Sequence, residues 1–252
     1  MVKRLLTGLL LLLVIPSLSA AAEVKIGDIV AALETPFKYK TLANEKISDF
    51  QADFLQQSHI ASIGRTQHGK GVVSFKFTPD VDHSLAKFRW QYQKPAIQEI
   101  ISDGKTMWVY IPDNRQVIES DISKLNTQQG ENPVTFLSNL GNLSRNFSIA
   151  WNQPRLSDSG NYQLLLIPLK PSQFIEKIEI TVSKKAVNFY LNQHKIGEIF
   201  PIIATLVTDP SGNRTAIKFK NIKINQHLDE KLFTFVRPPG VEVVDPGQQL
   251  GF

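Results

Sequence analysis

The sequence predicts a mainly β protein with a few short helices, in which one long antiparallel sheet curls into a closed or nearly closed barrel. Three observations lead there. From about residue 70 apolar and polar residues alternate in short runs separated by Gly, Pro, Asn and Asp. Apolar residues make up 42% of the chain, enough to bury a core. A sheet of roughly ten or more strands curls rather than staying flat.

The N-terminal segment has the pattern of a secretory signal peptide. Lys3 and Arg4 precede an apolar run over residues 5–15, and small residues follow up to Ala22. The run is much shorter than the roughly 20 residues that a membrane-spanning helix needs. We therefore predict a signal peptide over residues 1–22, cleaved after Ala20, Ala21 or Ala22, and a single domain over 23–252. The alternative is an uncleaved anchor.

Charge and cysteine content exclude several classes of function. Removing the two positive residues of the predicted signal peptide lowers the formal charge from +5 to +3, so charge gives no argument for nucleic-acid binding. The absence of cysteine excludes a disulfide framework, a cysteine zinc site, a thiol nucleophile and a lipid-modified N-terminal cysteine. A secreted chain of this length without cysteine favours a bacterial envelope location.

Helical spacing occurs at three places. Ile26, Ile29, Val30 and Leu33 share one face of a predicted helix that Pro36 ends. Residues 47–55 fit either a helix or the start of a strand. A short helix is predicted over 133–140, with Pro133 in its first turn and Gly141 after it.

The remaining periodic segments are predicted strands. They alternate in hydrophobicity and are bounded by turn residues, such as the Asp103-Gly104 hairpin signal. They cover residues 72–77, 88–92, 96–101, 106–111, 116–120, 162–168, 177–182, 186–190, 202–208, 214–224, 233–236 and 241–244.

The sequence contains no recognisable catalytic pattern. The five histidines form no HExxH helix, no Gly-x-Ser-x-Gly elbow occurs, and Gly69-Lys70-Gly71 is not followed by a predicted helix. We predict a non-enzymatic protein without catalytic residues, metal site or cofactor.

Aromatic residues are concentrated on neighbouring strands. Phe88, Trp90 and Tyr92 project from one face of a strand, and Trp108 and Tyr110 project from one face of the hairpin that follows. These side chains either fill an ordinary core or line a cavity that holds an acyl chain. Periodicity alone leaves both interpretations open.

Several motifs follow one another in a specific order and spacing over most of residues 45–245. They are Phe50-Gln51-Ala52-Asp53-Phe54, Phe88-Arg89-Trp90-Gln91-Tyr92, Ser102-Asp103-Gly104-Lys105-Thr106-Met107-Trp108-Val109-Tyr110, Asp209-Pro210-Ser211-Gly212-Asn213-Arg214-Thr215, Phe219-Lys220-Asn221 with Asn225, and Phe233-Thr234-Phe235 with Pro238-Pro239-Gly240-Val241-Glu242-Val243. In this order and spacing the sequence resembles the LolA family of periplasmic lipoprotein carriers.

The resemblance implies an unclosed antiparallel β-barrel with a helical lid over a hydrophobic cavity. It also implies a monomeric periplasmic carrier, which takes acylated lipoproteins or related lipids from an inner-membrane ABC transporter to an outer-membrane receptor. The residues expected to line the cavity are Phe54, Phe75, Phe88, Trp90, Tyr92, Ile100, Trp108, Tyr110, Phe136, Leu137 and Leu140.

Two departures from the family pattern concern the lid and the cargo. The Arg-Pro that normally precedes the F-x-W strand, and whose arginine latches the lid, is missing; Arg89 or Lys87 is the candidate replacement. The segment from Ser183 to Thr208 is longer than in the family. A regulatory module that senses lipid and binds a membrane-protein partner is the alternative function.

Overall fold

The computed structural model describes residues 23–77, 86–122, 136–193 and 198–244. Within these ranges the chain forms one 12-stranded sheet. Its strands are β1 (Asp49–Ile60), β2 (Arg65–Lys76), β3 (Lys87–Lys94), β4 (Gln98–Ser102), β5 (Thr106–Ile111), β6 (Gln116–Asp121), β7 (Phe147–Leu156), β8 (Tyr162–Pro168), β9 (Lys177–Val182), β10 (Ile202–Thr208), β11 (Arg214–Ile224) and β12 (Glu242–Val244).

The sheet is not closed. Its order is β12-β6-β5-β4-β3-β2-β1-β11-β10-β9-β8-β7, so β12 and β7 are the two edges. All neighbours are antiparallel except β12, which pairs parallel to β6. The prediction of a mainly β, unclosed and largely antiparallel architecture is therefore confirmed.

In the described ranges, three α-helices accompany the sheet: α1 (Ile26–Glu34), α2 (Leu143–Asn146) and α3 (Lys184–Gln193). A 3-10 turn at Thr35–Phe37 extends α1, and a 3-10 helix at Phe136–Asn142 leads into α2. Other 3-10 turns lie at Ala43–Glu45, Ala61–Ile63, Pro112–Asn114 and Glu230–Phe233. No helix in the described ranges is long and apolar enough to cross a membrane.

Four sequence-based expectations need correction or completion. Residues 186–190 form helix, because Ser183 Oγ accepts the Ala186 N–H and starts α3 (3.2 Å). Residues 234–236 form no strand. The strand β7 was missed, and the ambiguous 47–55 segment contains the start of β1. The predicted signal peptide and residues 133–135 of the predicted helix lie outside the described residues.

The two faces of the sheet have different neighbours. On the face that we call inner, aromatic side chains pack in one apolar core with Ile29 and Leu33 of α1 and Val187 of α3. The opposite, outer face of β3–β6 is crossed by residues 228–244, which we call the strap. Because side chains alternate along a strand, each residue's face follows from its register.

Candidate functional site

The inner face of β1–β4 carries a continuous aromatic cluster. The register aligns Phe50, Phe75 and Phe88 across three strands and places Trp90 opposite Ile100. The ring centroids of Phe54 and Trp90 are 5.0 Å apart in an edge-to-face arrangement. Such contacts bury large apolar areas and favour this geometry.

Gly71 makes the close packing of this cluster possible. It lies at a register shift between β2 and β3, where a Cβ atom would lie only 1.9 Å from the carbonyl oxygen of Gln91. That Cβ would also lie 3.0 Å from the ring of Phe54. Only glycine fits this position without movement of the backbone.

Nine of the eleven residues predicted to line the cavity pack in or against this one core. They are Phe54, Phe75, Phe88, Trp90, Tyr92, Ile100, Phe136, Leu137 and Leu140. Phe75 and Phe88 have no solvent-accessible surface, and Trp90 exposes only 1%. In this structure the sheet and the helices shield these side chains from solvent.

The helical cover consists of α1, the 3-10 helix at Phe136–Asn142, and α3. Helix α1 contacts both other members of the cover. The 3-10 helix approaches the end of α1 so closely that a Cβ atom on Gly141 would lie 2.9 Å from the Phe37 carbonyl oxygen. Phe37 in turn packs on Phe77 of the segment after β2, at 4.7 Å between centroids.

Glu34, the last residue of α1, joins the parts of the cover by polar contacts. Its side chain is buried; one carboxylate oxygen accepts the Ser144 N–H (2.6 Å) and the other pairs with Lys38 Nζ (2.8 Å). Sequence reasoning missed Glu34, although its position directly after Leu33 on an apolar helix was a signal of partial burial.

Tyr92 marks the polar limit of the aromatic cluster. Its hydroxyl donates to Gln56 Oε1 (2.7 Å), and its ring packs edge-to-face on Phe54 at 4.9 Å. Burial raises the pKa of the Tyr92 hydroxyl to about 12 because the phenolate form would lose hydration. Tyr92 is therefore neutral and able to donate throughout the physiological range.

The placement of Trp108 and Tyr110 toward the aromatic core is wrong. Trp108 is aligned with Ile101 and Tyr110 with Glu99, so both side chains lie on the outer face, opposite to Trp90 and Ile100. There they pack against Phe235 of the strap, with centroids 6.2 and 5.4 Å away. The error arose because the phase of one strand does not fix the phase of its neighbour.

Arg89, the candidate lid latch, also lies on the outer face. Its guanidinium pairs with Glu99 (2.5 Å) and donates to the Leu232 carbonyl oxygen (3.1 Å). Lys87 pairs with Glu230 (2.6 Å), which is also part of the strap. Both cations hold the strap rather than the helical cover, so their assignment to the lid is wrong.

A groove of about 600 Å³ lies mainly along the outer face of the central strands. Its walls include Leu55, Leu206 and Lys218, and Lys218 is aligned with Leu55 on β1. Sequence reasoning missed this groove because residues of several strands line it and no single strand carries its pattern. Among the described residues, no group of three histidine or acidic side chains is arranged to hold a metal ion.

A family profile and named relatives agree on one family. Its sequence profile, described as outer membrane lipoprotein carrier protein LolA, matches residues 45–236. Proteins named outer-membrane lipoprotein carrier protein are similar over most of their length. One from Hahella chejuensis is 27% identical, covering 94% of this chain and 97% of the relative. One from Methylobacillus flagellatus is 25% identical, covering 87% and 97%.

Two solved structures are also similar to this chain. An uncharacterized conserved protein from Thermus thermophilus has a TM-score of 0.47 at 14% identity, covering 87% of this chain and 98% of that one. A LolA superfamily protein from Nitrosomonas europaea has a TM-score of 0.41 at 15% identity, covering 84% and 99%. With a family profile that spans more than half of its length, this chain belongs to the LolA family of outer membrane lipoprotein carrier proteins.

Proposed function

We propose that this lipoprotein carrier binds acyl chains between the inner face of its sheet and the helical cover. The observation that carries the proposal is the composition of that contact, which joins the core aromatics of the sheet to apolar side chains such as Leu33 and Val187. An acyl chain offers the same apolar surface. Each buried CH₂ group contributes roughly 0.8 kcal/mol, so a multiply acylated anchor needs such a site to cross water.

The cover must move for a ligand to reach this face, because its aromatic side chains have almost no exposed surface in this structure. Movement of α1 and the 3-10 helix at Phe136–Asn142 away from the sheet exposes Phe54, Trp90 and their neighbours to the ligand. The closed form then represents the empty carrier, and binding shifts the population toward the open form.

The transport route is the finer part of the proposal. Relatives of this chain are named outer-membrane lipoprotein carrier proteins. These names support a periplasmic shuttle from the inner to the outer membrane. An inner-membrane ABC transporter and an outer-membrane receptor are the proposed partners. The N-terminal pattern of charge, apolar run and small residues supports export by a signal peptide over residues 1–22.

The test is saturable binding by the delipidated protein. We expect a fluorescent fatty-acid probe to bind in solution without vesicles and to be displaced by a synthetic lipopeptide that carries acyl chains. The same peptide without acyl chains is the control and should not displace the probe. Absence of saturable binding, or equal displacement by the control peptide, would overturn the proposal.

Two tryptophans give a matched pair of variants. Trp90→Ala removes a buried ring on the inner face, whereas Trp108→Ala removes a ring that packs under the strap on the outer face. We expect Trp90→Ala to weaken probe binding about tenfold and Trp108→Ala to leave it unchanged, since about 1.4 kcal/mol corresponds to tenfold. Trp90→Phe keeps an aromatic ring and serves as a second variant in case Trp90→Ala does not fold. It should bind the probe with an intermediate affinity.

A further inference from the structure

Three loops are neighbours at one end of the sheet, and two of them present large apolar side chains to solvent. Ile63 on the β1–β2 hairpin is 65% exposed. At the β8–β9 connection Ile167, Leu169 and Phe174 are 42%, 59% and 40% exposed. We call this end, formed by residues 61–64, 167–176 and 209–213, the apolar tip.

Hydrogen bonds join the three loops into one surface. The Ala61 N–H donates to Asn213 Oδ1 (2.9 Å), which links the β1–β2 hairpin to the β10–β11 turn. The Glu176 N–H donates to the Thr208 carbonyl oxygen (2.8 Å), which links that turn to the β8–β9 connection. The exposed apolar side chains are therefore displayed by loops that are fastened to one another.

The apolar tip projects beyond the middle of the sheet. The β1–β2 ladder continues to the pair Ile60 and Arg65, whereas β3 stops pairing with β2 at Lys70. On the other side, β11 follows β1 as far as the pair His59 and Arg214. The hairpin and the adjacent turn thus form a protruding end rather than a flat face.

Positive charge surrounds the apolar tip. Arg65, Lys170 and Arg214 are exposed there, whereas Lys177 at the start of β9 pairs with Glu179 (3.8 Å). The acidic groups on the same loops are Glu176 and Asp209, and the Asp209 carboxylate accepts hydrogen bonds from the backbone of Ser211 and Asn213 within its own turn.

We propose that the apolar tip docks this carrier on an anionic phospholipid surface. Protruding apolar side chains enter the interface between headgroups and acyl chains, while the surrounding lysine and arginine side chains attract the phosphates. The combination of isolated apolar projections with a cationic border fits a bilayer surface, which is deformable and negatively charged. The apolar tip is separate from the aromatic core. Acyl binding uses side chains that are buried in the closed form, whereas membrane docking uses side chains that are always exposed.

The experiment is co-sedimentation of the purified full-length mature chain with phosphatidylcholine vesicles, with and without phosphatidylglycerol. We expect binding to vesicles that contain phosphatidylglycerol, and a decrease as salt is raised. The variant Ile63→Ser/Leu169→Ser should lower the partition coefficient at least about tenfold. The variant Arg65→Gln/Lys170→Gln should lower it several-fold and reduce its dependence on salt.

Leu42→Ser is the matched control, because Leu42 is equally exposed but precedes β1, whose start lies at the opposite end of the sheet. It should bind vesicles like the unaltered chain. Equal binding by all variants, or an equal loss in Leu42→Ser, would overturn the proposal. The proposal would also be overturned if the tip variants changed self-association, measured by sedimentation velocity, but not vesicle binding. That outcome would make the tip an interface between copies of this chain. Probe binding in vesicle-free solution should remain unchanged in the tip variants, which separates failure of docking from failure of acyl binding.

Discussion

The two faces of the sheet are covered by segments of contrasting chemistry. The helical cover meets the inner face chiefly through apolar side chains that share one core with the aromatic cluster. The strap crosses the outer face through directional contacts: Arg89 donates to its backbone, Lys76 and Lys87 pair with Glu230, and β12 pairs with β6. Both covers bury aromatic residues. Apolar packing holds the helical cover, whereas hydrogen bonds, ion pairs and strand pairing hold the strap.

The difference indicates which cover a lipid can displace. Apolar contacts have no direction, so an acyl chain can replace an apolar helix face without leaving polar groups unpaired. A ligand of the same kind cannot replace the hydrogen bonds and strand pairing of the strap, because an acyl chain offers no polar group to the partly buried Arg89 or to the backbone of β6. We therefore infer that the helical cover is the movable element and that the strap is permanent.

The largest expected effect concerns the sheet that both covers share. Gly71→Ala should lower the free energy of unfolding by more than about 3 kcal/mol, because its Cβ would overlap the Gln91 carbonyl oxygen. Gly27→Ala in α1 is the control: no atom lies within 4 Å of its Cβ, and alanine should add up to about 1 kcal/mol. Urea unfolding of both variants measures the contrast, and equal stabilities would contradict the tight packing of β2 on β3.

The next effect separates the strap from the helical cover. Arg89→Ala removes the ion pair with Glu99 and the hydrogen bond to the Leu232 carbonyl oxygen of the strap, both partly buried. The loss should lower the unfolding free energy by about 1–2 kcal/mol. Because Arg89 lies on the outer face, we expect the affinity for the fluorescent fatty acid to stay within about twofold. A clear increase in that affinity would instead make Arg89 part of the latch that the family resemblance implies.

A smaller change acts on the helical cover itself. Glu34→Gln keeps an acceptor for the Ser144 N–H but removes the charge that pairs with Lys38. We expect it to destabilise the closed form by about 1 kcal/mol. The fatty-acid probe should then bind up to about fivefold more tightly, because less free energy is needed to open the cover. Lys38→Met should give at least as large a change in the same direction, because it leaves the buried Glu34 carboxylate without its cation.

The sequence predicted the strands well because alternation is a local property. Alternation likewise placed Phe88, Trp90 and Tyr92 on one face of their strand, and these three residues pack in or against one core. Their role as a cavity lining stays a prediction. The errors occur where one segment depends on a distant one. Trp108 and Tyr110 have the alternation of a half-buried strand, but only the pairing with β4 shows which face they occupy.

The cover and the strap illustrate the same limit. Residues 233–236 alternate like a strand, yet Phe235 packs on Trp108 and Tyr110 at the outer face of the sheet instead of pairing within it. Glu34 and Arg89 acquire their roles from partners 110 and 143 positions away in the chain. A local sequence pattern does not predict these contacts, because they form only when distant segments come together in the fold.

The smallest expected effect is a pH dependence of the strap. Hydrogen bonds from Lys87 and Lys76 hold the pKa of the Glu230 carboxyl below its ordinary value of 4.5. Since this pKa is lower in the folded chain than in the unfolded one, the ion pairs stabilise the fold above the ordinary value and lose their effect as pH falls through the folded value. Glu230 is more than half exposed, so solvent screening limits the contribution of its ion pairs to less than about 1 kcal/mol.

Unfolding free energies of the unaltered chain and Glu230→Gln should therefore differ slightly at pH 7 and converge in acid. The affinity for the fatty-acid probe should be the same in both, since the strap lies on the face that the ligand does not use.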